Sequence, residues 1–388
     1  MGMPHQSPET AFTLSKPRHH TRTIYLGGLS IGGSAPIRIQ SMTNTDTRDA
    51  QATLHQIHRL AQAGCEIVRL AVPDQTAAEA LPSLVATSPV PLVADIHFDY
   101  RLALAAVQAG IHGLRINPGN IGSRHRINQV VDAAKANTVP IRIGVNSGSV
   151  EKSIVQRFGG PTPEAMVESA LHHCRLLENR AFYDLKISLK SSSVGHTLAA
   201  YRLLAQKTDC PLHIGITEAG TLLRGTVKSS LGIGLLLAEG LGDTLRVSLT
   251  ADPIEEALVA WEILRGLGLR ARSPNLISCP TCGRTEIDLF KLARQVEDLL
   301  RPIPEVFTVA VMGCAVNGPG EAKEADIGLA GGKGSGVIFK KGRVVRRIQR
   351  EEEILPAFKE ELDAFVAQLR TKAPAHEKSI TDRRQICD

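Results

Sequence analysis

Cys279 and Cys282, in Ser-Cys-Pro-Thr-Cys-Gly-Arg, and Cys314 and Glu321, in Gly-Cys-Ala-Val-Asn-Gly-Pro-Gly-Glu, are the residues of this chain best suited to holding a metal. Two thiolates in a Pro-containing turn can grip one centre, and a third Cys in a second Gly/Pro-rich loop closes a long segment onto it. A fourth thiolate is missing. Cys65, Cys174 and Cys210 lie far upstream in element-like segments, and Cys387 is next to last in a polar tail. Three thiolates with one oxygen donor describe an iron–sulfur cluster with an exchangeable corner better than a closed structural zinc. Zinc stays open as the alternative, because a lone Cys-x-x-Cys is often half of a zinc site; His376 and Cys387 are the nearest further donors. A thioredoxin-type dithiol would want the pair at a helix start beside an early strand, which is not its setting here. S-adenosylmethionine radical chemistry would need tighter three-Cys spacing.

A second chemical set sits at the ends of strand-like runs. It comprises Arg69, Asp95 and His97, Arg115 and Asn117, Arg142 and Asn146, Lys186, Ser188 and Lys190, Glu218, and Arg246 and Ser248. Spacings of two or four residues put each run's polar members on one side of its strand. Any single Arg here could equally be a structural partner of a carboxylate. Together, Arg69, Arg115, Arg142, Lys186, Lys190 and Arg246 face only Asp95 and Glu218 as acids in this set, so the excess positive charge calls for an anionic ligand. Guanidinium forks match phosphate oxygens in pairs, which points to a small molecule with two phosphates. Gly119-Asn120-Ile121-Gly122 and Gly144 would let backbone N–H groups approach it.

The elements that must position these residues form a regular series. β-Branched runs fall at 37–43, 66–72, 91–96, 113–118, 140–146, 184–190, 211–218 and 244–250, with helix-periodic segments at 51–64, 101–110, 163–177, 227–240 and 253–266 between them. Eight βα units over roughly 250 residues predict a TIM (β/α)8 barrel. A doubly wound open sheet also reads βαβα, but no Gly-x-Gly-x-x-Gly follows the first strand. After about residue 269 the texture changes. Arg270 to Pro274 reads as a linker, followed by a helix over 286–300, a strand over 306–312, β-segments at 326–330 and 337–339 around a Gly-rich turn, and a charged helix over 351–370. The turn 331–336 fails the Walker spacing and is expected to join two strands. The division is therefore 1–269, a barrel that binds substrate, and 270–388, a smaller α+β iron–sulfur domain with a polar tail.

The chain has 388 residues and is 43% hydrophobic, enough for a barrel and a second domain. No stretch reaches the roughly 18 apolar residues of a membrane span. The N-terminus, with His19 and His20 and no apolar core, is not a secretory signal, so the cytoplasm is expected. Seven Cys, an odd number in a chain this large, argue for reduced thiols. The net charge of +6 invites a nucleic-acid reading, but aromatics are only 4%, too few for stacking platforms. Part of the excess, Lys340, Lys341, Arg343, Arg346, Arg347 and Arg350, reads as a solvated or partner-facing surface.

Gln40-Ser41-Met42-Thr43-Asn44-Thr45, Val93 to Asp99, Leu114 to Gly122, Ile141 to Asn146, Gly215 to Gly220 and both Cys motifs closely resemble runs of the bacterial 4-hydroxy-3-methylbut-2-enyl diphosphate synthases. The resemblance covers the chain from about Arg22 to the mid-300s. It implies an enzyme of the non-mevalonate isoprenoid pathway that reductively opens 2-C-methyl-D-erythritol 2,4-cyclodiphosphate. Two electrons would pass through a 4Fe-4S cluster on Cys279, Cys282, Cys314 and Glu321, from flavodoxin or ferredoxin. It further implies that Arg69, Arg115, Arg142, Lys190 and Arg246, with Asn146 and Ser248, grip the diphosphate, and that the protein is a homodimer in which one subunit's cluster domain caps the other's barrel. Glu218 is the candidate for proton delivery, with Asp95 and His97 next for proton handling or positioning. Two other classes stand beside this one. A pterin-type transferase on a TIM barrel would leave the Cys domain without a role, and a zinc-stabilised nucleic-acid-binding protein would leave the polar strand ends unexplained.

Overall fold

The computed structural model describes residues 16–314 and 322–372. The chain divides into two compact units, one ending at Arg270 and the other beginning at Ala271.

The first unit opens with a hairpin, β1 (Ile24–Leu26) and β2 (Leu29–Ile31). Its turn is Gly27-Gly28, at φ +52° and +82°, a tight hairpin connection that needs positive φ at both central residues. This hairpin lies outside the eight runs expected to form strands. Ile24, Leu26 and Ile31 pack with Ile67 and Val93 from the early part of two barrel strands, so the hairpin plugs that end of the barrel.

The barrel follows as β3 (Arg38–Met42), α1 (Ala50–Gln62), β4 (Ile67–Ala71), α2 (Gln75–Thr87), β5 (Leu92–Asp95), α3 (Tyr100–Gln108) and β6 (Gly113–Ile116). It continues with α4 (Pro118–Ile121), α5 (Arg124–Ala136), β7 (Ile141–Asn146), α6 (Lys152–Phe158), α7 (Pro163–Glu178), β8 (Leu185–Lys190) and α8 (Val194–Ala205). It ends with β9 (His213–Ile214), α9 (Leu222–Ala238), β10 (Thr244–Leu245) and α10 (Pro253–Gly266). Asp49, Asp74 and Asp99 cap α1, α2 and α3 by accepting backbone N–H bonds, which stops each βα loop sharply above its strand.

The eight strands β3–β10 are parallel, in the order β8-β7-β6-β5-β4-β3-β10-β9. A parallel bridge between Ile187 and Leu212 joins the two ends of that order and closes the barrel. The register accumulated around the circle is a shear of about eight residues, the value of a TIM barrel. The last two strands are much shorter than their sequence runs. Beyond Ile214 the segments still lie side by side, with the Arg246 N–H donating to the Ile214 carbonyl at 3.0 Å, but a Cβ on Gly215 would stand 2.4 Å from the Arg246 carbonyl oxygen. The backbones converge there too closely for a regular ladder. Arg270, expected in a linker, is tied to the barrel: it donates to Glu66 at 2.8 and 3.1 Å and lies over the Trp261 ring.

The second unit is a five-stranded sheet, β11 (Asn275–Ser278), β12 (Thr308–Met312), β13 (Ile327–Gly332), β14 (Ser335–Lys340) and β15 (Arg343–Ile348), in that order. The first three strands are parallel and the last two antiparallel. Helices α11 (Leu289–Leu300) and α12 (Ile354–Lys372) cover one face, where Leu292, Val296, Phe358 and Leu362 pack on Val309, Val311 and Leu329. The Gly-rich turn joins β13 to β14, with Gly334 at φ +65°. The basic residues expected on a surface include Arg343, Arg346 and Arg347 of β15, which is the edge strand of this sheet; Arg343 and Arg347 are exposed, and charge on an edge strand discourages pairing with another chain. No helix among the described residues is long and apolar enough to cross a membrane.

Candidate active site: a cationic barrel interior and two cysteine loops

Side chains that alternate along parallel strands point alternately into the barrel and out toward the helices. With a shear of eight, inward residues of alternate strands share a height, and these layers are normally filled by Val, Ile and Leu. Here they are polar nearly to the floor. Lys186 and Thr244 share the lowest layer with Ile67 and Gly113, and Arg142, Gln40 and His213 share the next with Val93. Above them come Arg69, Arg115, Ser188 and Arg246, and above these Asp95 and Met42 with Gly144 and Gly215. Lys190 and Asn117 stand higher still.

Contacts across the interior agree with this order. Arg142, 1% exposed, donates from Nη1 to the Gln40 Oε1 on the far wall at 3.3 Å. Arg115 donates to the Asp95 Oδ1 at 3.1 Å, while Arg69 Nε lies 3.6 Å and His97 Nε2 3.4 Å from its Oδ2. Arg69 also donates to the Met42 sulfur at 2.8 and 3.1 Å. Gly144 makes room for this: a Cβ there would come within 2.7 Å of the Arg115 guanidinium. Arg246 is paired at 3.1 and 3.2 Å with Glu256, which reaches in from α10 and also accepts the Ser41 hydroxyl at 2.8 Å. His213 contacts the Thr244 hydroxyl through Nδ1 at 2.8 Å.

The electrostatics follow from this crowding. Burial opposes the charged form of Asp95, but Arg69, the His97 hydrogen bond and Arg115 outweigh it and hold the carboxyl well below its ordinary range. Burial pushes Arg69 down to about 10, with Asp95 opposing and Arg246 and Arg115 reinforcing the shift. Lys190 is pushed well down by burial, then by Arg246 and Arg142. Six cations, Arg69, Arg115, Arg142, Lys186, Lys190 and Arg246, thus share an enclosed space with two buried carboxylates, Asp95 and Glu256. Such an interior is complementary to a polyanion.

The remaining expected residues lie around this set. Asn146 and Ser248 are half-buried, and His97 is exposed beside Asp95 and Arg115. Glu218 is exposed at φ +51°, a left-handed backbone that a non-glycine residue adopts only when its surroundings hold it. Gln40, Met42, His213 and Glu256 were missing from the expected set. A polar residue two positions after Arg38 and one between Leu212 and Ile214 carry the signal for Gln40 and His213; Met42 shares the face of Gln40 by strand alternation but, being apolar, does not announce itself. Glu256 has no such signal, because a helix residue aimed into the barrel looks like any acid in a first helical turn.

In the second unit, β11 and β12 run parallel with Ser278 opposite Val311, so the loops carrying Cys279 and Cys314 leave the same end of adjacent strands. The Gly313 N–H donates to the Cys279 sulfur at 3.3 Å, and the Glu286 N–H donates to the Gly313 carbonyl at 3.2 Å, tying the two loops together. Hydrogen bonds from Arg284, backbone first and then side chain, draw the exposed Cys282 thiol below its ordinary value. Cys314 is buried and Cys279 half-buried. Among the described residues no three His, Cys, Asp or Glu side chains are gathered into a group that could hold a metal ion. Glu321 lies outside the described residues. The donor chemistry and the shared strand ends fit a thiolate-bound cluster, and a backbone N–H donating to a ligand sulfur is one of the features that tune such clusters.

Comparison with known proteins adds an independent observation. Residues 21–261 match the GcpE TIM-barrel domain and residues 275–364 the GcpE protein C-terminal domain. A 4-hydroxy-3-methylbut-2-en-1-yl diphosphate synthase (flavodoxin) of Maridesulfovibrio salexigens is 64% identical over 353 residues, covering 91% of this chain and 99% of that protein. The synthase of the same description from Lawsonia intracellularis is 62% identical over 354 residues, with 91% and 99% covered. That of Nitratidesulfovibrio vulgaris is 58% identical over 368 residues, with 95% of each chain covered.

Proposed function

This chain belongs to the GcpE family, and from that premise we propose that it reductively opens 2-C-methyl-D-erythritol 2,4-cyclodiphosphate to 4-hydroxy-3-methylbut-2-enyl diphosphate. The observation that carries this reading is the barrel interior, where six cations meet two carboxylates and leave room in charge for a diphosphate.

In this reaction a ring C–O bond to phosphate breaks, a carbon–carbon double bond forms, and a hydroxyl leaves as water at the expense of two electrons and the protons that balance them. Arg69, Arg115, Arg142, Lys190 and Arg246, with Asn146 and Ser248, hold the diphosphate and stabilise the charge that appears on the departing phosphate oxygen. Asp95 keeps Arg69 and Arg115 aimed inward: held ionised as it is, it serves as an orienting anion rather than a proton donor at neutral pH. His97, on the same carboxylate, shares that positioning role. Glu218, exposed and held at φ +51°, is the proton donor to the departing hydroxyl.

Cys279, Cys282, Cys314 and Glu321 would hold a 4Fe-4S cluster, which when bound supplies the electrons one at a time. The division of labour is the unit ending at Arg270 for substrate and the unit beginning at Ala271 for the cluster. Flavodoxin, the donor in the relatives' description, is the assigned partner, with ferredoxin as the alternative. The protein acts in the cytoplasm as a homodimer. Leu223, Val227, Leu231 and Leu235, spaced by four along α9, form an exposed apolar stripe that supports contact with a second copy. Turnover of the cyclic diphosphate by the anaerobically reconstituted protein with a low-potential reductant tests the proposal, and a well-folded, cluster-loaded protein that leaves the substrate unchanged would overturn it.

A further inference from the structure

Lys186 is the interior cation to which the proposed reaction gives no task. It lies in the lowest inward layer, 2% exposed, and its Nζ has no hydrogen-bond partner. Its direct neighbour across the β7–β8 ladder is Arg142, whose Nε is also unpartnered. The groups facing it are Arg142 from β7, His213 from β9, Thr244 from β10 and Gln40 from β3, with Ser188 and Lys190 above it on its own strand. β4 and β6 contribute Ile67 and Gly113 at this height. None of these is a carboxylate. Asp95 is engaged by Arg69 and Arg115, and Glu256 by Arg246 and Ser41.

Two buried cations side by side, with no counter-charge in contact, are costly unless one of them is neutral. A guanidinium does not give up its proton under ordinary conditions, so Lys186 is the group that must yield. Burial, and after it the Arg142 charge, push Lys186 down to about 7. His213 is pushed well below its ordinary value by burial and Arg142, and is neutral there. In the empty barrel above neutral pH, Lys186 is therefore mostly an amine.

We propose that Lys186 is a positioning charge for the diphosphate site, which takes a proton from solvent onto Nζ when the substrate's diphosphate enters and then adds its charge to that of Arg142 from below. The neutral form spares the empty barrel an uncompensated charge, and the protonated form matches the filled one. This rests on the diphosphate reading of the barrel given above. Substrate affinity consequently weakens as pH climbs above the free-enzyme value, because the proton that binding takes up becomes scarcer; one full proton corresponds to about tenfold per pH unit.

The test is calorimetric titration of the full-length, cluster-reconstituted protein with the cyclic diphosphate at about pH 8, well below the ordinary lysine value, in two buffers of different ionisation enthalpy. The wild type is expected to take up protons on binding. Lys186→Met is expected to bind with an uptake smaller by close to one proton and with a flatter pH dependence of Kd. Lys186→Arg, charged at every pH, should show the same reduced uptake, and it carries the test should the Met variant fail to fold. A merely structural lysine would lower the melting temperature on replacement and leave the proton count alone. Variants that bind with the wild-type proton uptake would overturn the role of Lys186. A wild type that does not bind the cyclic diphosphate would instead overturn the function reading on which it rests.

Discussion

Asp95 accepts a hydrogen bond from Arg115 Nη1 at 3.1 Å while its other oxygen lies 3.6 Å from Arg69 Nε, so one buried carboxylate steadies two guanidinium groups of the barrel interior. Replacing it by Asn leaves both cations without their anion. Asp95→Asn should destabilise the free protein by about 3 kcal/mol, the usual cost of breaking a buried pair by removing one partner. Inorganic pyrophosphate should recover a large part of that loss, because an anion in the barrel supplies the missing charge. The pH sign follows from the depressed pKa: the stability Asp95 contributes is fully present above its unfolded value near 4 and is lost as pH falls through the lower folded value, so wild type and variant should converge only in strong acid. Thermal melts with and without pyrophosphate check this, and equal melting at neutral pH would refute it.

Glu256 holds Arg246 from a helix rather than from a strand. Glu256→Gln keeps the shape and removes the charge that orients the guanidinium. Steady-state kinetics should show KM for the cyclic diphosphate changed by about tenfold, equivalent to about 1.4 kcal/mol, with a smaller effect on kcat. An unaltered KM would mean that Arg246 does not depend on Glu256 for its position.

Glu218→Gln separates proton delivery from binding. With the cluster intact, kcat should fall by a factor of about 10² to 10⁴, the usual contribution of a positioned acid, while substrate affinity stays near that of the wild type. Full turnover would show that another group delivers the proton.

The exposed stripe on α9 predicts its own consequence for assembly. Leu231→Glu, at the centre of the stripe formed with Leu223, Val227 and Leu235, should convert the protein to a monomer of 41.7 kDa in sedimentation analysis. A wild type that is already monomeric, or a variant that remains dimeric, would move the interface elsewhere.

Much of this architecture was legible because it is periodic. The eight runs of β-branched residues appear as β3–β10, and the polar members at Arg69, Arg115, Arg142, Lys186 and Arg246 follow the alternation that turns them inward. What escaped was set by tertiary geometry. The floor hairpin at Gly27-Gly28 is too short to carry a period, β15 hides behind its arginines, and Glu256 reaches the interior only because α10 packs over the strand ends. The depth of Arg142 and Lys186 is likewise a product of register around the whole barrel, which no single strand discloses.

The most direct measurement is product formation from the cyclic diphosphate by anaerobically reconstituted full-length protein with reduced flavodoxin, run beside Cys282→Ser and Arg142→Met. The wild type is expected to turn over. Cys282→Ser should lose the brown chromophore and turnover, and Arg142→Met should keep the chromophore and lose binding by at least about tenfold. A colourless wild type holding stoichiometric zinc, or turnover that survives both substitutions, would contradict the proposed function.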